Sequence, residues 1–108
     1  MSDAQKDLDE YIVTRLLHRL VGKPVQGSFT AVSSKEVDDR LRVWEQLYER
    51  VYGDFMKYRW SMDLPSGCMR EEEGYQKYTA VLQAEFPGLE IEALRRLQRM
   101  MYHYLVER

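Results

Sequence analysis

The chain has 108 residues, 44% apolar and 31% charged, which is enough apolar material for one buried core and unlike the composition of a disordered chain. Sixteen Lys and Arg against eighteen Asp and Glu give a net charge of -2, which argues against a polybasic nucleic-acid binder and against a strongly acidic protein. The single cysteine excludes an intramolecular disulfide, and the polar N-terminus is unlike a signal peptide. No stretch approaches the ~18 consecutive apolar residues of a membrane span. We therefore expect one cytoplasmic domain, residues 1–108.

The first predicted helix covers residues 3–21. Ser2 and Gln5 form a capping-box pattern, in which a hydroxyl and an amide bind the free backbone N–H groups at a helix start. Gly22 and Pro24 end the helix. Between them the apolar residues recur at helical spacing: Leu8, Ile12, Val13, Leu16, Leu17 and Leu20. The next residues, 22–33, have no helical period, and we expect three of them to pack on the core from a loop: Val25, Phe29 and Val32.

The second predicted helix, residues 34–62, shows the strongest regularity in the sequence. Ser33 and Glu36 form another capping box at its start. Its apolar residues are spaced alternately by four and three positions, which is a heptad pattern: Val37, Leu41, Trp44, Tyr48, Val51, Phe55, Tyr58 and Met62. At ~1.5 Å per residue this helix is roughly 43 Å long, against about 34 Å for the diameter of a compact chain of this size. The helix therefore overhangs its domain or breaks at Gly53, and the unbroken heptad register favours a continuous helix.

The remaining sequence predicts two shorter helices, over residues 69–86 and 89–106, separated by the helix-breaking pair Pro87 and Gly88. The apolar side of the third helix comprises Tyr75, Tyr78, Leu82 and Phe86. That of the fourth comprises Ile91, Leu94, Leu97, Met101, Tyr104 and Leu105. Four helices predict an all-α fold, either a four-helix bundle or an orthogonal helical array, with a long heptad-patterned second helix.

The sequence offers little for catalysis or metal binding. Neither histidine has a glutamate three residues before it, as a di-iron carboxylate bundle requires. One set of soft donors would suit Cu(I) if its members converged: Cys68, Met69, Met100, Met101 and His103. Methionines in helical proteins more often fill the core. We therefore predict no catalytic residue, no metal, no cofactor and no enzymatic activity.

A basic row on the fourth helix gives the alternative hypothesis, a helical nucleic-acid-binding regulator. Its members are Arg95, Arg96, Arg99 and His103. Such a row could follow phosphates in a groove. It could also be the solvated face of an amphipathic helix that pairs with nearby glutamates, and the slightly negative net charge favours this second interpretation. We refer to these four residues as the arginine row.

The C-terminal half of the second helix is apolar on more than its heptad side, which indicates protein binding. Tyr52, Met56 and Trp60 extend around the helix, and Arg59 lies near the heptad side. These residue types are enriched in the cores of protein interfaces. Alternatively, this helix is the central helix of its own bundle. We predict a non-enzymatic accessory subunit, inhibitor or regulatory adaptor that binds another protein, as a homodimer through Tyr52, Met56, Arg59 and Trp60.

Overall fold

A computed structural model describes residues 3–24, 27–61 and 72–107. It contains α1 (Asp3–Leu20), α2 (Ser34–Ser61), α3 (Glu72–Glu85) and α4 (Ile91–Leu105). Within the described ranges all regular structure is helical, so the all-α prediction is confirmed, in the form of a small helical bundle. Ser2 of the first capping box, Val25, Met62 and the predicted start of the third helix lie outside the described residues.

The end of α1 and the start of α2 follow their predicted signals. Gly22 adopts a left-handed conformation with φ of 76°, and the Lys23 N–H donates to the His18 carbonyl at 2.8 Å, which closes the last turn of α1. The Ser33 hydroxyl accepts a hydrogen bond from the Glu36 N–H at 3.2 Å. The predicted serine cap of α2 is therefore confirmed.

The long helix α2 passes through Gly53 without a break and is 28 residues long. A helix of that length spans about 42 Å, and the longest dimension of the molecule is 41 Å, against 29 and 19 Å for the other two. The fold is thus elongated along α2, and the expected conflict between helix length and domain size does not arise.

The heptad side of α2 faces the interior of its own chain. Trp44, Val51, Phe55 and Tyr58 are buried, and the N-terminal heptad residues Val37 and Leu41 are partly buried against the same core. Helix α4 packs against each of the other three helices. For these side chains the structure therefore supports the alternative in which the heptad residues belong to the core of a single bundle.

Helix α4 differs from its prediction at its start and on one flank. It begins at Ile91 because Glu90 acts as its N-cap, with a carboxylate oxygen that accepts the Ala93 N–H at 2.7 Å. Tyr104 was expected in the core but is only partly buried. Tyr102 is buried instead, since its ring packs edge-on against Phe55 with 5.6 Å between centroids.

Candidate interaction surfaces

Among the described residues the most complete polar site is a buried carboxylate on α1, that of Asp9, which has no exposed surface. Its Oδ1 accepts hydrogen bonds from Arg40 Nε at 2.7 Å and Trp44 Nε1 at 2.9 Å. Its Oδ2 accepts from Arg40 Nη2 and from the Glu90 N–H, both at 2.8 Å. We call these four residues the Asp9 network.

The geometry of the Asp9 network indicates a structural role. A carboxylate has about four lone-pair positions, and here four donors occupy them. No oxygen lone pair is left to take a proton from a substrate. The network joins α1, α2 and the start of α4, and Arg40 extends it by donating to the Gly88 carbonyl at 2.6 Å.

A second polar cluster joins α2 to α3. The Tyr78 hydroxyl donates to Asp54 Oδ2 at 2.7 Å, and Arg50 bridges Asp54 at 3.3 Å and Glu85 at 2.8 Å. Burial raises the pKa of Tyr78 well above its usual range, and the hydrogen bond to Asp54 and the charge of that carboxylate raise it further. Tyr78 therefore stays protonated and acts as a donor at neutral pH.

Two of the four residues predicted to bind a partner share one exposed face of α2. Tyr52 is 41% exposed, and its ring stacks on that of Tyr48 with 6.2 Å between centroids. Met56 lies one turn further along and is partly buried. We call Tyr48, Tyr52 and Met56 the tyrosine face. The side chains of Arg59 and Trp60 lie outside the described residues, so their place relative to this face stays a prediction.

The tyrosine face reaches α1 and α4 through Tyr48. Partial burial raises the pKa of Tyr48; Arg19 at the end of α1 opposes this effect, and the neighbouring Tyr52 and Tyr104 hydroxyls add to it. Arg19 is itself 3.6 Å from Glu45 of α2. Charged groups thus border the face, while its three members are neutral.

The first two members of the arginine row have partners within the chain. Arg96 holds α4 against α1, with Nη1 3.4 Å from a Glu10 carboxylate oxygen and Nη2 donating to the Glu10 carbonyl at 3.0 Å. Arg95 lies 3.5 Å from the carboxylate of Glu92 on its own helix. Both side chains are also substantially exposed.

The other two members of the row are less constrained. The Arg99 guanidinium lies 5.5 Å from the centre of the Tyr75 ring, within the range of a cation–π interaction. His103 Nδ1 is 3.9 Å from Glu107 and forms an ion pair only when the imidazole is protonated. All four residues lie at exposed positions of α4 and their charges are partly satisfied within the chain, while a role in binding nucleic acid stays a prediction.

The described residues hold no group of three or more His, Cys, Asp and Glu that could bind a metal ion. Cys68 and Met69 lie outside them, so convergence of the predicted soft donors is untested. None of the described helices has the length and apolar character needed to cross a membrane.

Sequence reasoning missed the Asp9 network, although a signal was present. Asp9 sits on the apolar stripe of α1 at helical spacing from Ile12 and Val13. A carboxylate in such a place requires buried donors. The same logic applies to Gln98 of α4, which is buried and accepts the Thr79 hydroxyl at 2.8 Å.

Comparisons with protein-family models, with curated proteins and with solved structures found no match, so no family is assigned to this chain.

Proposed function

We propose that this protein acts by binding another protein through the tyrosine face of α2, as an accessory subunit, inhibitor or regulatory adaptor of the cytoplasm. The observation that carries the proposal is Tyr52, which is 41% exposed on a helix whose heptad side is buried. Tyrosine offers a large contact area at a low cost in conformational entropy. Because Tyr52 already stacks on Tyr48, even less side-chain entropy is lost on binding.

The partner that suits this face is a second copy of the chain. Two-fold symmetry brings the same patch of each subunit together, which favours neutral aromatic residues and disfavours like charges. The members of the tyrosine face are neutral and lie along the longest helix. Two antiparallel α2 helices could therefore stack their tyrosines against each other without opposing like charges at the centre.

The test is a comparison of two single substitutions on α2. Tyr52→Glu places a charge at the centre of the proposed interface, whereas Gln46→Glu adds the same charge at another exposed position of the helix. We expect light scattering after size exclusion to give a dimer for the parent and for Gln46→Glu, and a monomer for Tyr52→Glu. Far-UV circular dichroism should be the same for all three proteins.

If Tyr52→Glu still has the mass of a dimer, the proposed contact through Tyr52 is wrong. Trp60→Ala and Met56→Glu extend the test to the rest of the predicted set, with loss of association at constant helix content as the expected result. If both variants lose helicity in step with association, these two residues belong to the core rather than to the interface.

Nucleic-acid binding stays the alternative, because Arg95, Arg96 and Arg99 together line a surface groove of about 400 Å³ on the outer side of α4. Phosphate contacts of this kind weaken steeply as salt rises. Binding of a DNA duplex at about 50 mM salt that is lost on Arg99→Glu would support this alternative. The absence of binding under those conditions would exclude nucleic-acid binding through the arginine row.

A further inference from the structure

A second exposed apolar site lies where the end of α1 meets α4. There the structure has an open groove of about 350 Å³. Its lining includes Leu17, His18, Val21, Lys23, Arg96 and Met100. We call this the α1–α4 groove, and it shares no residue with the tyrosine face.

The floor of the α1–α4 groove is apolar. Among the described residues three large apolar side chains are exposed, and two of them line this groove: Val21 at 39%, just after the end of α1, and Met100 at 45%, on α4. Leu17 lies beside them, partly buried. Isolated exposed apolar residues are common on protein surfaces, whereas their convergence in a concave site marks a binding surface.

The rim of the groove is basic. His18, Lys23 and Arg96 line it, and no carboxylate is among its lining residues in the described part of the chain. The groove adjoins the one beneath the arginine row, because both are lined by Arg96 and Met100. The rim therefore places the positive charges of Lys23 and Arg96 beside an apolar floor, and Arg96 shares its charge with Glu10.

We propose that the α1–α4 groove binds an acidic amphipathic helix of another protein. The apolar face of such a helix would cover Val21 and Met100, and carboxylates flanking that face would meet Lys23 and Arg96. A nucleic acid fits less well, because its phosphate backbone has no apolar surface to cover the floor.

The test uses two synthetic helical peptides with the same leucine face. One carries glutamates beside that face and the other carries lysines at the same positions. We expect the methyl NMR signals of Val21 and Met100 to shift on titration with the glutamate peptide, and its affinity to exceed that of the lysine peptide by about tenfold or more. Equal affinities, or shifts confined to other residues, would overturn the proposal.

Matched variants locate the contact. Lys23→Glu should weaken binding of the glutamate peptide by about fivefold and Met100→Glu by more, whereas Lys35→Glu, at an exposed position outside the groove, should leave it unchanged. Unchanged affinity in Lys23→Glu and Met100→Glu would overturn the proposal. So would salt-sensitive binding of a DNA duplex to the same residues with no peptide binding.

This inference and the dimer proposal fail independently. Tyr52→Glu should alter the solution mass and leave peptide binding intact, while Met100→Glu should do the reverse. If both surfaces act, each dimer carries two grooves, one on each subunit, which is the arrangement of an adaptor.

Discussion

Replacement of Asp9 by asparagine should strongly destabilise the fold. Asparagine has almost the same shape, so the substitution changes charge and hydrogen bonding while packing stays nearly constant. Its amide oxygen can still accept from Arg40 Nε and Trp44 Nε1. Its NH₂ group would then face Arg40 Nη2 and the Glu90 N–H, which are donors themselves.

The magnitude follows from these lost partners. A buried donor left without an acceptor costs about 1–3 kcal/mol, and breaking a buried ion pair costs about 3–5 kcal/mol. The cost of breaking the ion pair is smaller here, because the Arg40 side chain is 22% exposed and keeps its hydrogen bond to the Gly88 carbonyl. We therefore expect Asp9→Asn to lower the free energy of unfolding by about 3–4 kcal/mol, out of a total of roughly 5–15 kcal/mol for a domain of this kind.

Urea denaturation followed by circular dichroism measures this loss, with Asp7→Asn, an exposed aspartate on the same helix, as the control. A loss in Asp9→Asn within about 1 kcal/mol of the control would refute the role assigned to the network. A double-mutant cycle adds a second check. Asp9→Leu combined with Arg40→Met should cost less than the sum of the two single changes, because no unpaired buried charge remains.

Two glycines and two tyrosines give the remaining predictions. Gly53→Ala should raise the free energy of unfolding by about 0.5–1 kcal/mol, because Gly53 lies within α2 with open space around it. Gly88→Ala should lower it by about 1 kcal/mol, because φ at this residue is +87°. Tyr78→Phe should lower the free energy of unfolding by about 1.5 kcal/mol or more, because the hydrogen bond to Asp54 is lost. Tyr102→Phe should change it by less than about 0.5 kcal/mol, because the Tyr102 hydroxyl has no hydrogen-bond partner among the described residues. Burial raises the pKa of Tyr78 above 10.0, so the stability that this hydroxyl contributes is complete below pH 10 and falls as the pH rises further. Chemical denaturation should therefore show that the free energy of unfolding decreases less above pH 10 in Tyr78→Phe than in the parent.

Local signals were sufficient to predict the helices and several of their ends. Gly22 ends α1 and Ser33 caps α2 because each acts on its own neighbouring backbone. The unbroken heptad register also predicted the passage of α2 through Gly53, since burial of residues on both sides of the glycine outweighs the ~1 kcal/mol that glycine costs in a helix.

Contacts between distant parts of the chain could not be predicted in this way. Asp9 and Arg40 are 31 residues apart, and no local period indicates that they pair. The choice between Tyr102 and Tyr104 for the core depends on the rotation of α4 against Phe55 of α2. The heptad pattern itself fits a helix buried in its own bundle as well as one that pairs with a second chain, and only the packing of α1 and α4 on α2 distinguishes the two.

The solution mass of the parent protein tests the central proposal most directly. We would measure it by light scattering after size exclusion at micromolar concentration, at low and at high salt. Because the tyrosine face is neutral, we expect a dimer that survives high salt. A monomer under both conditions would contradict self-association through Tyr52. A dimer that dissociates at high salt would also contradict it, because its contacts would then be ionic.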